Sequence, residues 1–173
     1  MNLFSGNSRK IAIGSLVLFL LLLVSCSPTT NSQTIEKNVS FQELILTSQE
    51  VSDLGLSAQG SCQIENLYGI CNYTINDLGD TEVIIQLQEI ANKTDLNGSY
   101  QYQSLHLRGY QGLIEENTMA DQSRFYVNNE SATFYYHLWM TKDDYLIHIT
   151  SKGSEQARDD ILAIGEEFLT KFE

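Results

Sequence analysis

The sequence predicts an α+β fold in which a mainly antiparallel sheet is packed by helices. Two stretches, 62–75 and 134–149, alternate apolar and polar residues on both sides of a turn, a pattern typical of antiparallel hairpins. Residues 154–172 instead carry apolar side chains at helical spacing, which predicts a C-terminal amphipathic helix. Sheets built from adjacent hairpins are mainly antiparallel, and helices must cover their apolar faces.

A short helix is predicted at the start of the folded part of the chain. Residues 47–50 read Thr-Ser-Gln-Glu, a capping box that predicts a helix running through Leu54. Gly55 follows directly and is expected to end the helix, because glycine readily adopts the left-handed conformation found after helix C-termini. The helix therefore precedes the first hairpin.

Cys62 and Cys71 lie on the two strands of the first hairpin. If Asn66 and Leu67 form a two-residue turn, the cysteines face each other with Cα atoms about 4.5–5.5 Å apart, a separation that a disulfide can bridge. Closing this loop is worth about 2.7 kcal/mol. The alternative, a redox or metal pair, lacks the C-x-x-C spacing. We expect a structural disulfide in an oxidising compartment.

The middle of the chain changes from strand to helix periodicity. Val83, Ile85 and Leu87 predict a strand with Gln86 and Gln88 on its other face. A helix is then predicted from the spacing of Leu96, Tyr100, Gln103 and Leu107. Residues 109–116 are rich in glycine and glutamate and predict a loop, whereas residues 124–127 predict a further strand.

The last hairpin and the terminal helix have the clearest patterns. Strict alternation places four residues of the first strand on the core face: Phe134, Tyr136, Leu138 and Met140. Three residues of the second strand alternate in the same way: Tyr145, Ile147 and Ile149. Ser154 is the predicted N-cap of the helix. The predicted buried stripe of the helix contains Ala157, Ile161, Ile164, Phe168 and Phe172.

The other face of the last hairpin holds the candidate ligand-binding residues Tyr135, His137, Trp139 and His148. With a turn at Lys142-Asp143, His137 would lie directly opposite His148. Three interpretations stay open. Hydrogen-bonded packing beneath a helix is favoured because this face is half apolar. The face could instead form a groove for a protein or small-molecule partner, or His137 and His148 could bind a metal together with a carboxylate.

No motif in the sequence predicts catalysis. The chain contains no nucleophile elbow, zinc-protease, Walker or dinucleotide-binding motif. Its paired carboxylates are adjacent in sequence, so on a strand or helix they point in different directions. The sequence therefore predicts no catalytic residue, no enzyme activity and no cofactor. A net charge of −12 argues against nucleic acid as a partner.

Residues 1–25 predict an export signal. Two basic residues precede an apolar run at 11–24, which is too short to span a bilayer. The run ends Leu23-Val24-Ser25-Cys26, which resembles the lipobox of bacterial and archaeal prolipoproteins. The resemblance implies cleavage before Cys26 and lipidation of that residue, so that acyl chains would hold the protein at the membrane. The alternative is a plain secretory leader with an incidental cysteine.

The sequence thus divides into a signal at 1–25, a flexible tether at 26–40 that follows the lipidated cysteine, and a single α+β domain at 41–173. The order of the predicted elements resembles the PsbP-like α/β/α sandwich of small exported lipoproteins. This resemblance implies architecture and transfers no site residue. Five N-x-[ST] sequons, at Asn38, Asn72, Asn92, Asn97 and Asn129, would also suit an exported protein.

The predicted function follows from this organisation. We expect a lipoprotein anchored at the cell membrane through its N-terminal lipid and facing outside the cytoplasm. It would act as a non-catalytic binding or assembly module for a protein or small-molecule partner. The alternative is a metal-binding or hydrolytic lipoprotein that uses His137, His148 and nearby carboxylates.

Overall fold

The computed structural model describes residues 39–105, 112–130 and 132–173. The predicted signal, the lipobox with Cys26 and nearly all of the tether lie outside the described residues, as do Asn38 and Leu107. The described residues belong to one structural unit. No helix among the described residues is long and apolar enough to cross a membrane.

Eight strands form one sheet in the described part of the chain. In sequence order they are β1 Leu56–Ala58, β2 Gln63–Glu65, β3 Tyr68–Ile75, β4 Glu82–Glu89, β5 Leu113–Glu116, β6 Gln122–Glu130, β7 Thr133–Lys142 and β8 Tyr145–Gly153. Their order in the sheet is β1-β3-β4-β8-β7-β6-β5, and β2 also pairs with β3. Every pairing is antiparallel. The predicted fold class, α+β with a mainly antiparallel sheet, is confirmed.

Among the described residues, three helices pack on the two faces of this sheet: α1 Ser48–Asp53, α2 Lys93–Leu105 and α3 Arg158–Thr170. The C-terminal helix α3 packs on β7 and β8 over the main core, and α1 borders the same core through Val51 and Leu54. Helix α2 packs on the same two strands through a separate cluster on the opposite face. The sheet therefore lies between two helical layers.

The main core is built from the residues that strand and helix periodicity predict. Tyr136, Leu138 and Met140 of β7 are buried there, as are the alternate residues of β4 and β8. Four residues of the predicted α3 stripe are also buried, namely Ala157, Ile161, Ile164 and Phe168, while Phe172 is partly buried against them. These side chains are removed from water, which is the main favourable term in folding.

Helix α3 approaches the sheet closely at Gly165. A Cβ atom at this position would lie 2.6 Å from Cδ2 of Leu138, whose side chain is itself buried. A side chain at this position would require the Leu138 side chain or the helix to move. Gly165 therefore allows the close approach of the helix to β7.

The first helix and the first hairpin form as predicted. Thr47 accepts a hydrogen bond from the Glu50 backbone N–H, and the Glu50 carboxylate accepts one from the Thr47 N–H, which completes the capping box. In the hairpin Glu65 pairs with Tyr68, so the turn falls at the predicted residues. The structure contains the Cys62–Cys71 disulfide, with Cα atoms 4.3 Å apart.

Several element boundaries differ from the predictions. Residues 113–116 form β5 rather than a loop, because this segment pairs with β6 and Glu116 forms an ion pair with Arg124 at 2.8 Å. Strand β1 is an additional element, and β6 is longer than predicted. Ser154 does not cap α3, since β8 continues through Gly153 and the helix starts only at Arg158, after Ala157.

Candidate functional site

The candidate site lies on the face of the sheet that α2 only partly covers. Beneath α2, a small cluster buries Leu96, Tyr100, Trp139 and Leu146. Beside this cluster, β4 presents Gln86 and Gln88 on the same face, since their neighbours Val83, Ile85 and Leu87 face the main core. The strand pairing brings these glutamines next to β8, because Gln86 pairs with His148 and Gln88 pairs with Leu146.

The prediction that His137 lies directly opposite His148 is wrong. Lys142 pairs with Tyr145, so the turn consists of Asp143 and Asp144, and Trp139 is the residue opposite His148. Asp143 takes a φ of +50°, a conformation that aspartate tolerates better than most residues. A shift of two positions preserves the face to which a side chain points, so both histidines still lie on the predicted face as diagonal neighbours.

Four side chains from four strands form a continuous hydrogen-bonded chain, which we call the His–Gln–Tyr chain: His137, His148, Gln86 and Tyr68. Nδ1 of His137 lies 3.3 Å from Nε2 of His148, and Nδ1 of His148 lies 2.8 Å from Oε1 of Gln86. The Gln86 amide Nε2 then donates to the Tyr68 hydroxyl at 3.0 Å. The His–Gln–Tyr chain runs across β7, β8, β4 and β3.

Trp139 covers one side of this chain. Its indole lies flat on the His148 ring, with ring centroids 3.4 Å apart and planes 6° from parallel. Only 4% of Trp139 is exposed. The His137 ring is also nearly parallel to that of His148, at 5.6 Å and 13°. The His148 imidazole is therefore held between other side chains and largely removed from water.

Burial keeps both imidazoles neutral. It lowers the pKa of His137 from 6.5 to about 4. The pKa of His148 is lowered well below its ordinary value, first by burial and then by the neighbouring His137. No carboxylate contributes to either shift among the described residues. At neutral pH the pair carries no charge, although the chain as a whole is strongly acidic.

The direction of the hydrogen bonds follows from the Gln86 amide. Because its Nε2 donates to Tyr68, its Oε1 faces His148 and must accept a hydrogen from Nδ1 of that ring. A neutral imidazole has a single N–H, so Nε2 of His148 accepts in turn from Nδ1 of His137. This assignment leaves a lone pair on Nε2 of His137 and directs the Tyr68 O–H away from Gln86.

A cleft of about 330 Å³ opens between this part of the sheet and α2. Its walls are formed by Tyr68, Gln86, Leu87, Gln88, Gln103, Trp139, Leu146 and His148. Gln103 comes from α2 and the other residues come from β3, β4, β7 and β8. None of these side chains carries a charge at neutral pH. The volume lies at the lower end of the range typical of small-molecule sites.

The predicted site residues are only partly brought together. Trp139 and His148 line the cleft, and His137 contacts His148 without lining the cleft itself. Tyr135 is half-buried outside the cleft, and its ring centroid is 6.0 Å from the Lys152 ammonium. Because Trp139 is buried, it forms no exposed aromatic patch with Tyr135. Within the described ranges, no third His, Cys, Asp or Glu lies close enough to complete a metal site with the two histidines.

Sequence reasoning missed most of the cleft. Strand alternation places Gln86 and Gln88 on the face opposite Val83, Ile85 and Leu87, and helical spacing places Gln103 on a helix, but neither pattern predicts a role in a site. No pattern in the sequence indicates a role for Tyr68. The alternation of β4 does show that the two glutamines share a face, but their pairing with β8 joins residues about sixty positions apart. No local pattern specifies that pairing.

Comparisons with known proteins identify no relative. No protein-family model, no curated protein and no solved structure matches this chain. The resemblance of the element order to PsbP-like domains therefore stays a prediction.

Proposed function

We propose that this chain is a membrane-tethered extracytoplasmic lipoprotein whose folded domain is a non-catalytic binding module. The observation that carries the binding role is the uncharged polar cleft between α2 and β4. Concave sites with a few convergent polar groups are the usual places where proteins bind small ligands. The ligand would contact side chains from both the sheet and the helix.

The state of the two histidines favours binding over catalysis. A general acid or base works best when its pKa is near the working pH, whereas the pKa of His137 is lowered to about 4. His148 has both ring nitrogens engaged, one with Gln86 and one with His137. No carboxylate perturbs either ring, so the usual partner that orients and activates a catalytic imidazole is missing among the described residues.

The membrane tether rests on the lipobox at residues 23–26. The mature protein would be even more acidic than the whole chain, because both basic residues of the leader are removed and no acidic residue is. Electrostatic attraction to anionic lipid therefore cannot hold it at a membrane, and acyl chains must do so. A diacylglycerol on Cys26 would supply two chains.

Mutation of the lipidation residue tests the tether. We expect Cys26→Ser to abolish incorporation of labelled fatty acid and to leave the leader uncleaved. Ser27→Ala, next to the modified residue, is the matched control and should be processed normally. A Cys26→Ser protein that is cleaved and membrane-bound like the wild type would refute the lipoprotein assignment.

A metal-binding role is the second candidate because the two histidines are in contact. Their facing nitrogens are 3.3 Å apart, close enough to share one metal ion if both lone pairs turned towards it. The His–Gln–Tyr chain opposes this rearrangement, since Nδ1 of His137 is occupied by hydrogen. Stoichiometric zinc or copper in untagged protein, lost in His137→Gln, would support this candidate over the first.

A further inference from the structure

We propose that the cleft binds an uncharged, polyhydroxylated small molecule, a mono- or disaccharide or a neutral glycan end, with an acceptor oxygen on the Tyr68 hydroxyl. This inference rests on the binding role proposed above and names the chemical class of the ligand. It is drawn from the charges, hydrogen-bonding capacity and surroundings of the side chains that line the cleft.

Among the described residues, the lining of the cleft offers an ionic ligand no partner of opposite charge. All eight lining residues are neutral at pH 7, in a chain with 22 acidic and 10 basic residues. A charged group that enters a partly desolvated site without an opposite charge loses hydration and gains nothing comparable. A phosphate, sulfate, carboxylate or ammonium group would therefore bind poorly there.

Tyr68 provides a hydrogen-bond donor of fixed direction. Its oxygen already accepts from Nε2 of Gln86, so its own hydrogen must point elsewhere. The residue lines the cleft and is 41% exposed, which leaves the O–H within reach of a ligand. The Gln86 amide is fixed in turn by its hydrogen bond to His148. The buried His148 thus helps to position a donor at the cleft surface.

Gln88 and Gln103 add groups that both donate and accept. Neither side-chain amide has a hydrogen-bond partner among the described residues, and they approach the cleft from β4 and α2. A sugar hydroxyl also donates and accepts, so each amide can satisfy one hydroxyl or two neighbouring ones. Leu146 and Trp139 close the inner end of the cleft and are only 3% and 4% exposed, so the contacts with a ligand come mainly from the polar side chains.

The position of the cleft disfavours an extended peptide as the ligand. A peptide that adds to a sheet needs an unpaired strand edge. The strands beneath the cleft are interior, because β3 pairs with β2 and β4, β4 pairs with β3 and β8, and β8 pairs with β4 and β7. Their backbone groups are already used. Recognition must therefore come from side chains, as is usual for small polar ligands.

Glycan and peptide arrays test this inference directly. The full-length protein, extracted from membranes in a non-glycosidic detergent and fluorescently labelled, is applied to an array of neutral and charged glycans and to a peptide array. The strongest neutral glycan is then titrated calorimetrically. We expect neutral glycans to bind in preference to charged ones, and Tyr68→Phe to weaken binding about fivefold, the loss typical of one hydrogen bond.

Matched variants show whether binding occurs in the cleft. Gln103→Leu removes a lining amide from α2 and should weaken binding, whereas Gln101→Leu, on the same helix but outside the cleft, should not. Tyr135→Phe is the control for Tyr68→Phe, because Tyr135 lies off the cleft. Thermal unfolding of each variant checks that the fold is intact; these changes affect partly exposed side chains.

Each other outcome overturns the proposal. The ligand class is wrong if charged glycans bind equally well or if a peptide binds with the same dependence on Tyr68, although the binding module would still stand. Neutral glycan binding that is insensitive to both Tyr68→Phe and Gln103→Leu would place the ligand elsewhere. If the protein binds nothing on either array, both the ligand class and the binding role are contradicted. The tether is tested separately, because mass spectrometry of the same preparation shows whether Cys26 carries a lipid.

Discussion

The histidine pair, in which His148 is buried and His137 is partly buried, should make the protein sensitive to mild acid. In the unfolded chain both imidazoles have the ordinary pKa of 6.5, whereas in the folded protein burial lowers the pKa of His137 to about 4 and that of His148 well below 6.5. The unfolded state therefore binds more protons than the folded state between these values. Stability is complete above pH 6.5 and is lost as the pH falls towards 4.

The size of this loss follows from the shift at His137. Between pH 7 and pH 5 it lowers the free energy of unfolding by about 2 kcal/mol, and the full shift is worth about 3 kcal/mol once the pH is below 4. His148 adds to the loss in the same direction. Because small domains are stable by only about 5–15 kcal/mol, a loss of this size is readily measured.

Urea unfolding at pH 7, 6 and 5 measures the effect. Trp139 is the only tryptophan and is stacked on His148, so its fluorescence reports directly on this region. Carboxylates also titrate in this range, so the control is the variant His137→Gln/His148→Gln, in which only the histidine contribution is absent. Between pH 7 and 5 the wild type should lose about 2 kcal/mol or more of unfolding free energy beyond the loss of the variant.

Two results would refute this reasoning. One is equal pH dependence of the wild type and the double variant. The other is an NMR titration in which His137 of the folded wild type protonates near pH 6.5. This titration needs no variant, so it remains informative if the double variant does not fold. Either result would mean that the imidazoles are not shielded from water.

Three further predictions concern packing, the disulfide and metals. Gly165→Ala should lower the free energy of unfolding by about 1–3 kcal/mol, because its Cβ would overlap Leu138. Gly98→Ala in α2 meets no atom within 4 Å and should raise the free energy of unfolding by about 0.5–1 kcal/mol. Urea unfolding that ranks the two variants in the opposite order would contradict the packing argument. Reduction of the Cys62–Cys71 disulfide should lower the free energy of unfolding by about 2.7 kcal/mol, and equal unfolding midpoints with and without reductant would argue against a structural role. Zinc added at one equivalent should leave Tm unchanged, since no third ligand accompanies the histidines in the described residues, and a clear rise in Tm would instead favour the metal-binding alternative.

Elements with a local signal were predictable from the sequence. The Thr47–Glu50 capping box fixes the start of α1 through contacts three residues apart, and the alternation of β7 and β8 identifies their buried faces. The helical stripe of α3 was also predicted. The first residue of α3 was not predicted correctly, because β8 pairs with β7 through Gly153 and this tertiary pairing overrides the capping preference of Ser154.

The site depended on contacts that the sequence does not display. The turn between β7 and β8 is held by Asp121, whose carboxylate accepts a hydrogen bond from the Asp143 backbone N–H at 3.0 Å, so a distant residue helps to set the register. Gln86 reaches His148 only because β4 pairs with β8. The two histidines were predicted to share a face, but the glutamines and the tyrosine that define the cleft were not assigned to it.

The central claim is that the neutral His–Gln–Tyr chain positions the Tyr68 donor in an uncharged binding cleft. The protonation pattern of the two histidines tests this claim most directly. The measurement is the ¹⁵N chemical shifts of the His137 and His148 ring nitrogens in the folded protein at pH 7. We predict that both rings are neutral and carry hydrogen on Nδ1, in accord with the donors and acceptors of the chain. A protonated imidazole, or hydrogen on Nε2 of His148, would contradict the account.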